Sequence, residues 1–247
     1  MQAQARSPVL IDAVLPLNWV QTRAQRLVAD AVLVVGFAWL IALCSQIAIR
    51  IPTTTVPITG QTFGVLLTGG ALGSKRGGLS ALVYMLLGMF AVPVFAPRGS
   101  VMAEKNFHFI FPWKGIEGYV WDLSSGGYIV GFILAAFLVG WLAEHGWAKG
   151  SKVVAAMLLG NIVVYLVGLP WLAAFIASGA KIPGLELTYY DAITGNNVFD
   201  KMMKGGLYPF IGGDAIKLVG AMMVLPGAWW LVRKLKGEKP PERRSTA

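Results

Sequence analysis

Charged residues are scarce in this chain of 247 residues: they make up 13% of the sequence, whereas 56% is hydrophobic. A soluble domain of this length usually carries about 25% charged residues. The deficit excludes an ordinary water-facing surface and indicates that much of the molecule faces lipid. Thirty glycines and nine tryptophans are typical of a membrane protein, with small residues at helix contacts and indole rings at the membrane interfaces.

Cysteine and histidine are nearly absent, which limits the chemistry. One cysteine, Cys44, excludes a disulfide framework, and no Cys/His metal spacing occurs, so we expect no metal and no cofactor. An intramembrane serine protease needs a histidine facing a serine, but His108 and His145 lie outside the apolar runs. The sequence also lacks a glycine-rich phosphate loop ending in Lys-Ser/Thr. We therefore expect neither an enzyme nor ATP hydrolysis by this chain.

Six apolar runs are candidates to cross a hydrocarbon core of about 30 Å. They lie at about 27–49, 58–74, 77–95, 126–144, 152–178 and 208–232, and the second is short and glycine-rich. The predicted fold class is an all-α integral membrane protein, a bundle of six transmembrane helices. Residues 1–26 are predicted to form an N-terminal segment, 27–235 the membrane domain and 236–247 a basic tail.

The basic residues orient these spans. The two tails and the even-numbered breaks hold thirteen lysines and arginines, and the odd-numbered breaks hold seven. An excess of basic residues marks the cytoplasmic side, so both termini are predicted to be cytoplasmic. Because the basic residues fall between apolar runs and form no face, the net charge of +9 reflects topology and does not indicate nucleic-acid binding.

Two ionisable residues lie within the last predicted span. Asp214 and Lys217 are three positions apart, which puts them on one face of a helix. Ionisable groups inside a membrane are costly and often mark a substrate or ion pathway. A mutually neutralising pair that only helps the bundle to pack is the alternative, and position alone does not separate the two.

Further polar or conformationally special residues lie in the second, fourth and fifth spans. They are Gln61, Thr62, Gly127, Tyr128 and Asn161. Helix capping, helix packing and interhelical hydrogen bonding are the ordinary structural explanations for such residues. In the predicted topology, however, most of them share the outer half of the bundle with Asp214. The sequence therefore predicts a pocket that is open to the outside, with no polar path through the membrane.

Ala38 and Ala42 in the first span have the small-xxx-small spacing that lets helices approach closely. Two interpretations stay open for this pair: packing inside the bundle, or a docking face for another membrane subunit.

Six segments, in order and with matching spacing, resemble the BioY family, the biotin-specific S components of energy-coupling-factor (ECF) importers. The first contains Val56-Pro57-Ile58-Thr59-Gly60-Gln61-Thr62, and the others lie at 72–77, 86–95, 126–132, 160–171 and 213–217. The resemblance covers about residues 27–235. Segments 97–122 and 181–206 are longer than the family pattern.

The resemblance implies an S component in the bacterial cytoplasmic membrane that captures biotin at its outer face. It implies a transmembrane coupling protein and a pair of cytoplasmic ATPases as partners, with ATP used only by those partners. The matching family positions are Gln61–Thr62, Gly127–Tyr128, Asn161, Asp214 and Lys217.

The chemistry of biotin agrees with these residues. Asp214 can accept from a ureido N–H, while Lys217, Asn161 or Gln61 can donate to the ureido oxygen. The helix start at Gly126–Gly127 can meet the carboxylate. The sequence leaves open which donor meets which end of the ligand. An S component for another vitamin and a secondary carrier that works alone remain as alternatives.

Overall fold

The computed structural model describes residues 9–15, 22–51, 53–96, 108–110, 118–148 and 150–237. Nine α-helices occur in this part of the chain. They are α1 (Leu10–Val14), α2 (Arg23–Ser45), α3 (Gln61–Leu72), α4 (Ser74–Phe90), α5 (Gly126–Leu142), α6 (Lys152–Ala177), α7 (Tyr189–Ala192), α8 (Val198–Gly206) and α9 (Tyr208–Leu235). A π-helical turn, Ala143–Trp147, extends α5.

Each of the six predicted spans overlaps one of the longer helices. Four helical segments are long and apolar enough to cross a membrane: Arg23–Ser45, Gly126–Trp147, Lys152–Ala177 and Val198–Leu235. Helix α3, with 12 residues, rises about 18 Å and is shorter than a hydrocarbon core. The apolar membrane helices are thus confirmed, whereas their number of six stays a prediction.

Helices α3 and α4 form a tight hairpin that turns at a single residue, Gly73. Its φ of 86° lies in the left-handed region, which favours glycine. A methyl group on Gly77 would lie 2.9 Å from the Cα of Gly69, and one on Gly140 of α5 would lie 2.2 Å from the Gly73 carbonyl carbon. Glu144 accepts hydrogen bonds of 2.7 Å from both the amide and the hydroxyl of Ser74. Glycine therefore allows three helices to meet at this end of the bundle.

A small antiparallel sheet corrects the all-α prediction. Strand β1 (Ala48–Arg50) lies between β2 (Ile58–Thr59) and β3 (His108–Ile110), with Ala48 opposite both Thr59 and Ile110. The first and second predicted spans included β1 and β2 because these residues are apolar. Helix α2 ends earlier, at Ser45, whose hydroxyl lies within hydrogen-bond distance of the carbonyls of both Ala42 and Val94. β-branched residues and a proline then favour extended backbone.

Ala38 and Ala42 are completely buried, on the face of α2 that packs against α3 and α4. Their small side chains allow these helices to approach each other within the chain. This corrects the docking-face interpretation, because the two residues present no surface to another subunit. Spacing in one helix could not distinguish an internal contact from an external one.

The predicted N-terminal segment contributes a short helix that packs on the bundle. Helix α1 contacts α3 and α9, and Leu10 is part of the apolar core there. Arg76 of α4 forms ion pairs of 2.7 Å with Asp12 of α1 and Asp30 of α2. Most of the predicted tail 236–247 and of the long segment 97–122 lies outside the described residues, as do residues 1–8 and 16–21.

Candidate functional site

A cavity of about 410 Å³ lies among α3, α5, α6, α9 and the segment 51–59. This is within the range of about 300 to 1,000 Å³ found for small-molecule sites. Apolar side chains form much of its wall, among them Val56, Phe95, Phe132, Val164 and Phe210. A few polar groups face the same space, so the cavity can enclose a largely apolar ligand and fix its orientation.

Asp214 of α9 is the centre of the main polar cluster, and only 5% of its surface is exposed. Its Oδ1 accepts a hydrogen bond of 2.8 Å from Nζ of Lys217, one turn along the same helix. Its Oδ2 accepts from Nδ2 of Asn161 at 3.2 Å and from the hydroxyl of Tyr165, both on α6. The i, i+3 and i, i+4 spacings predicted from the sequence thus bring the four side chains together.

This cluster keeps some of its hydrogen-bonding groups unused. Oδ1 of Asn161 is buried and makes no hydrogen bond within the described chain. A carboxylate has about four acceptor positions, of which Asp214 uses three here, and a lysine ammonium has three donors, of which Lys217 uses one for Asp214. A ligand can therefore both donate to this cluster and accept from it.

Of the seven residues predicted for the site, six line this cavity. They are Gln61, Thr62, Tyr128, Asn161, Asp214 and Lys217. The amide of Gln61 is already engaged by protein groups: it donates to the hydroxyl of Tyr84 and accepts from that of Thr59 at 2.8 Å. Gln61 thus joins the cavity wall to a buried polar network behind it.

That network fixes the wall at the start of α3. Tyr84 is completely buried and donates to the carbonyl of Val94 at 3.3 Å. The same carbonyl accepts from Ser45 and from Nε2 of Gln46, which lies 3.3 Å from it. Because these groups come from α2, α4 and the segment after α4, the network holds three parts of the chain in register.

Gly127 is the predicted residue that the cavity does not include. A methyl group there would lie 2.3 Å from Cβ of Trp171, so this glycine allows α5 and α6 to approach closely. The neighbouring amides at the helix start are engaged, since Gly126 donates to the carbonyl of Leu123 at 2.9 Å and Tyr128 to that of Ser125 at 3.1 Å. The predicted contact between this helix start and a carboxylate stays a prediction.

Sequence reasoning missed the hairpin that borders the cavity. Lys181 pairs with Thr188 in an isolated bridge, and Ile182 and Leu185 line the cavity from this hairpin. Pro183-Gly184 occupies its turn, with a φ of 83° at Gly184. Pro-Gly is a recognised turn signal, so the turn itself was detectable, but its position over the cavity was not.

Two hydrogen bonds join the end of α8 to the cavity walls. Thr54 donates to the carbonyl of Gly205, and Tyr128 donates to the carbonyl of Gly206 at 2.9 Å. Lys201 of α8 is buried and donates to the carbonyls of Tyr190 and Ile193 at 2.8 and 2.7 Å. A buried ammonium requires such partners, and here it binds α7 and α8 together.

The chain resembles known proteins along most of its length. The sequence model of the BioY family matches residues 17–234. A probable biotin transporter of Pyrococcus horikoshii is 31% identical over 192 residues, 78% of this chain and 91% of that protein. A biotin transporter of Thermotoga maritima is 34% identical over 198 residues, covering 78% and 87%.

A solved structure has the same fold. The crystal structure of the S-component for biotin from an ECF-type ABC transporter superposes with a TM-score of 0.60 at 21% sequence identity. The likeness covers 89% of this chain and 96% of that one.

Proposed function

Because this chain belongs to the BioY family, we propose that it is the substrate-binding membrane subunit of an ECF-type importer and that its substrate is biotin. Relatives from two organisms are named as biotin transporters, and a protein of the same fold is an S-component for biotin. The observation that carries the proposal is the Asp214 cluster, which offers paired donors and acceptors inside an apolar cavity.

Biotin has the chemistry that this arrangement suits. Its ureido ring has two N–H donors and one carbonyl acceptor, and its thioether ring is apolar. The unused Oδ1 of Asn161 and the remaining acceptor position of Asp214 can take the two N–H groups. An N–H of Lys217 that is not bonded to Asp214 can donate to the ureido oxygen. Since a site that hydrogen-bonds its ligand strongly rejects analogues without those groups, this cluster supports selectivity.

The transport direction and topology are part of the proposal. Both termini are cytoplasmic, α3 and α4 complete a set of six membrane helices, and biotin enters from the outer face of a bacterial cytoplasmic membrane. The distribution of basic residues supports this orientation. Reporter fusions at each terminus and within 193–197 test it, because the termini should report the cytoplasm and the fusion within 193–197 the opposite side.

Binding by the purified chain is the direct test. We expect isothermal titration with biotin to give one site per chain, and thiamine and riboflavin not to compete. Competition by either of those vitamins would favour an S component for another vitamin. No heat of binding at micromolar biotin, with monodisperse protein, would contradict the proposal.

ATP-driven uptake requires a transmembrane coupling protein and a pair of ATPases, since the chain has no phosphate-binding loop of its own. Labelled biotin should accumulate in cells that express all three kinds of subunit. The alternative of a carrier working alone predicts uptake without partners that a protonophore abolishes. The ion pair of Asp214 with Lys217 weighs against that alternative, because it occupies the carboxylate that would have to bind the coupling ion.

A further inference from the structure

A second group of polar side chains lines the cavity from elements other than α6 and α9. The hydroxyl oxygens of Thr55 and Ser124 lie 3.3 Å apart, and Ser125 follows on the same loop. Either hydroxyl can be the donor in this contact. The two hydroxyls have two protons, and one of these forms the hydrogen bond between their oxygens. The other O–H remains to donate to a ligand.

The surrounding structure holds these hydroxyls in place. Ser124 is 6% exposed. Nε1 of Trp171 donates to the carbonyl of Leu123 at 3.0 Å, which fixes the loop against α6. Ser125 precedes α5 but makes no capping hydrogen bond to it, so its hydroxyl is not consumed there. Because α5 starts at the next residue, the positive end of its dipole also favours negative charge nearby.

The two polar groups of the cavity differ in charge. Among the described lining residues, Asp214 and Lys217 are the charged ones, and their ion pair of 2.8 Å makes that end neutral as a whole. A carboxylate placed there would meet the ammonium of Lys217, but also the like charge of Asp214 and the unused oxygen of Asn161. A neutral group with both N–H and C=O avoids this repulsion. Thr55, Ser124 and Ser125, in contrast, present hydroxyl donors. Among the described lining residues, no acidic residue lies beside them.

We infer that Thr55 and Ser124, with Ser125, bind the carboxylate of the ligand, while the Asp214 cluster binds its neutral ring. The inference rests on the proposed function, since biotin has a neutral ureido ring at one end and a carboxylate at the other. Hydrogen bonds to an ionised acceptor are about twice as strong as those between neutral groups, so a few hydroxyls suffice.

Biotin and its carboxamide separate the two ends, because the amide has nearly the same shape without the charge. We expect the double variant T55V/S124A to bind biotin about tenfold to hundredfold more weakly than wild type, and the carboxamide at most about threefold more weakly. Retained binding of the carboxamide also shows that the variant is folded. S178A is the matched control, because Ser178 is exposed and outside the cavity, and it should change neither affinity.

Two results overturn the inference: an equal loss for both ligands in T55V/S124A, or no loss for biotin. If the double variant gives no folded protein, the single variants T55V and S124A should show the same selectivity to a smaller degree. N161A should weaken both ligands equally, and selective loss of biotin there would mean that the ligand lies the other way round. Wild-type protein that binds neither ligand would instead overturn the proposed function itself.

Discussion

At the scale of single residues, Asp214 is the residue on which the proposed site depends most. It is a buried carboxylate that depends on three donors, and they in turn depend on it. Replacing one member of such a cluster leaves the others desolvated and unpaired, which costs more than the lost hydrogen bond alone.

The variant D214N keeps the shape of this side chain and removes its charge. It leaves the largely buried ammonium of Lys217 without its counter-ion. Removing one partner of a buried ion pair destabilises a protein by about 3 to 5 kcal/mol. We therefore expect biotin affinity to fall at least about hundredfold in isothermal titration. E186Q is the control, because Glu186 is 91% exposed and does not line the cavity, and it should bind like wild type. Affinity within threefold of wild type for D214N would remove the basis for the proposed site.

Tyr165 supports the carboxylate from the second helix. The variant Y165F deletes one donor to Asp214 and leaves Asn161 and Lys217 in place. A hydrogen bond to a charged group contributes about 1.5 to 3 kcal/mol, so titration should show biotin bound about tenfold more weakly. Y190F is the matched control, since the hydroxyl of Tyr190 contacts the carbonyl of Asn196 at an exposed position. If both variants bind equally, Tyr165 has no part in holding the ligand.

At the scale of elements, glycines decide how closely α3, α4 and α5 pack. Hydropathy located these helices but not their contacts, because it reports burial and not the neighbour that causes it. The same limit explains Ala38, which the sequence left between two interpretations, and Gly127, whose neighbour Trp171 is more than forty residues away in sequence.

The variant G140A should destabilise the bundle. Its new methyl group would lie 2.2 Å from the carbonyl carbon of Gly73, a backbone atom that cannot move without shifting α3 and α4. Overpacking of this kind costs about 1 to 3 kcal/mol, so the thermal midpoint in detergent should fall by several degrees.

G36A is the matched control for that experiment. Gly36 is also in a helix interior, but a methyl group there meets no atom within 4 Å. Replacing glycine with alanine in a helix usually stabilises by about 0.5 to 1 kcal/mol, so the midpoint should stay or rise. An equal fall in both variants would show that the close approach at Gly140 is not the cause.

At the scale of the whole molecule, the sequence predicted the general architecture and six of the residues that line the cavity. The apolar runs predicted the long helices. The few polar residues within them, notably Asn161, Asp214 and Lys217, line one cavity, because polar groups inside a membrane face the bundle interior and pair with one another. The sheet β2-β1-β3 and the hairpin at 181–188 were not foreseen. Their strands are too short for a clear alternation, and their pairing depends on segments distant in sequence.

Because the cavity joins several helices, a bound ligand should stabilise the whole bundle. Biotin at a hundred times its dissociation constant should add about 2.7 kcal/mol to the free energy of unfolding. A thermal-shift measurement should therefore show a clearly higher midpoint with biotin for wild type. D214N at the same concentration should show a shift several times smaller, since a site about hundredfold weaker gains only about 0.4 kcal/mol. A wild-type protein that binds biotin in titration without this shift would mean that the ligand does not bind selectively to the folded state.

Helix α9 carries both charged residues of the cavity. The segment Val198–Leu235, which contains α9, is nevertheless the least embedded of the four apolar segments, with 17% of its most apolar stretch buried inside the protein. Asp214 attaches it to α6 through Asn161 and Tyr165. In the proposed function, the bonds that hold α9 against α6 are therefore also those that recognise the ligand. Replacing these residues to fit a different ligand would therefore also weaken the attachment of α9 to α6. The polar groups of the cavity are thus also part of the structure that holds the helices together.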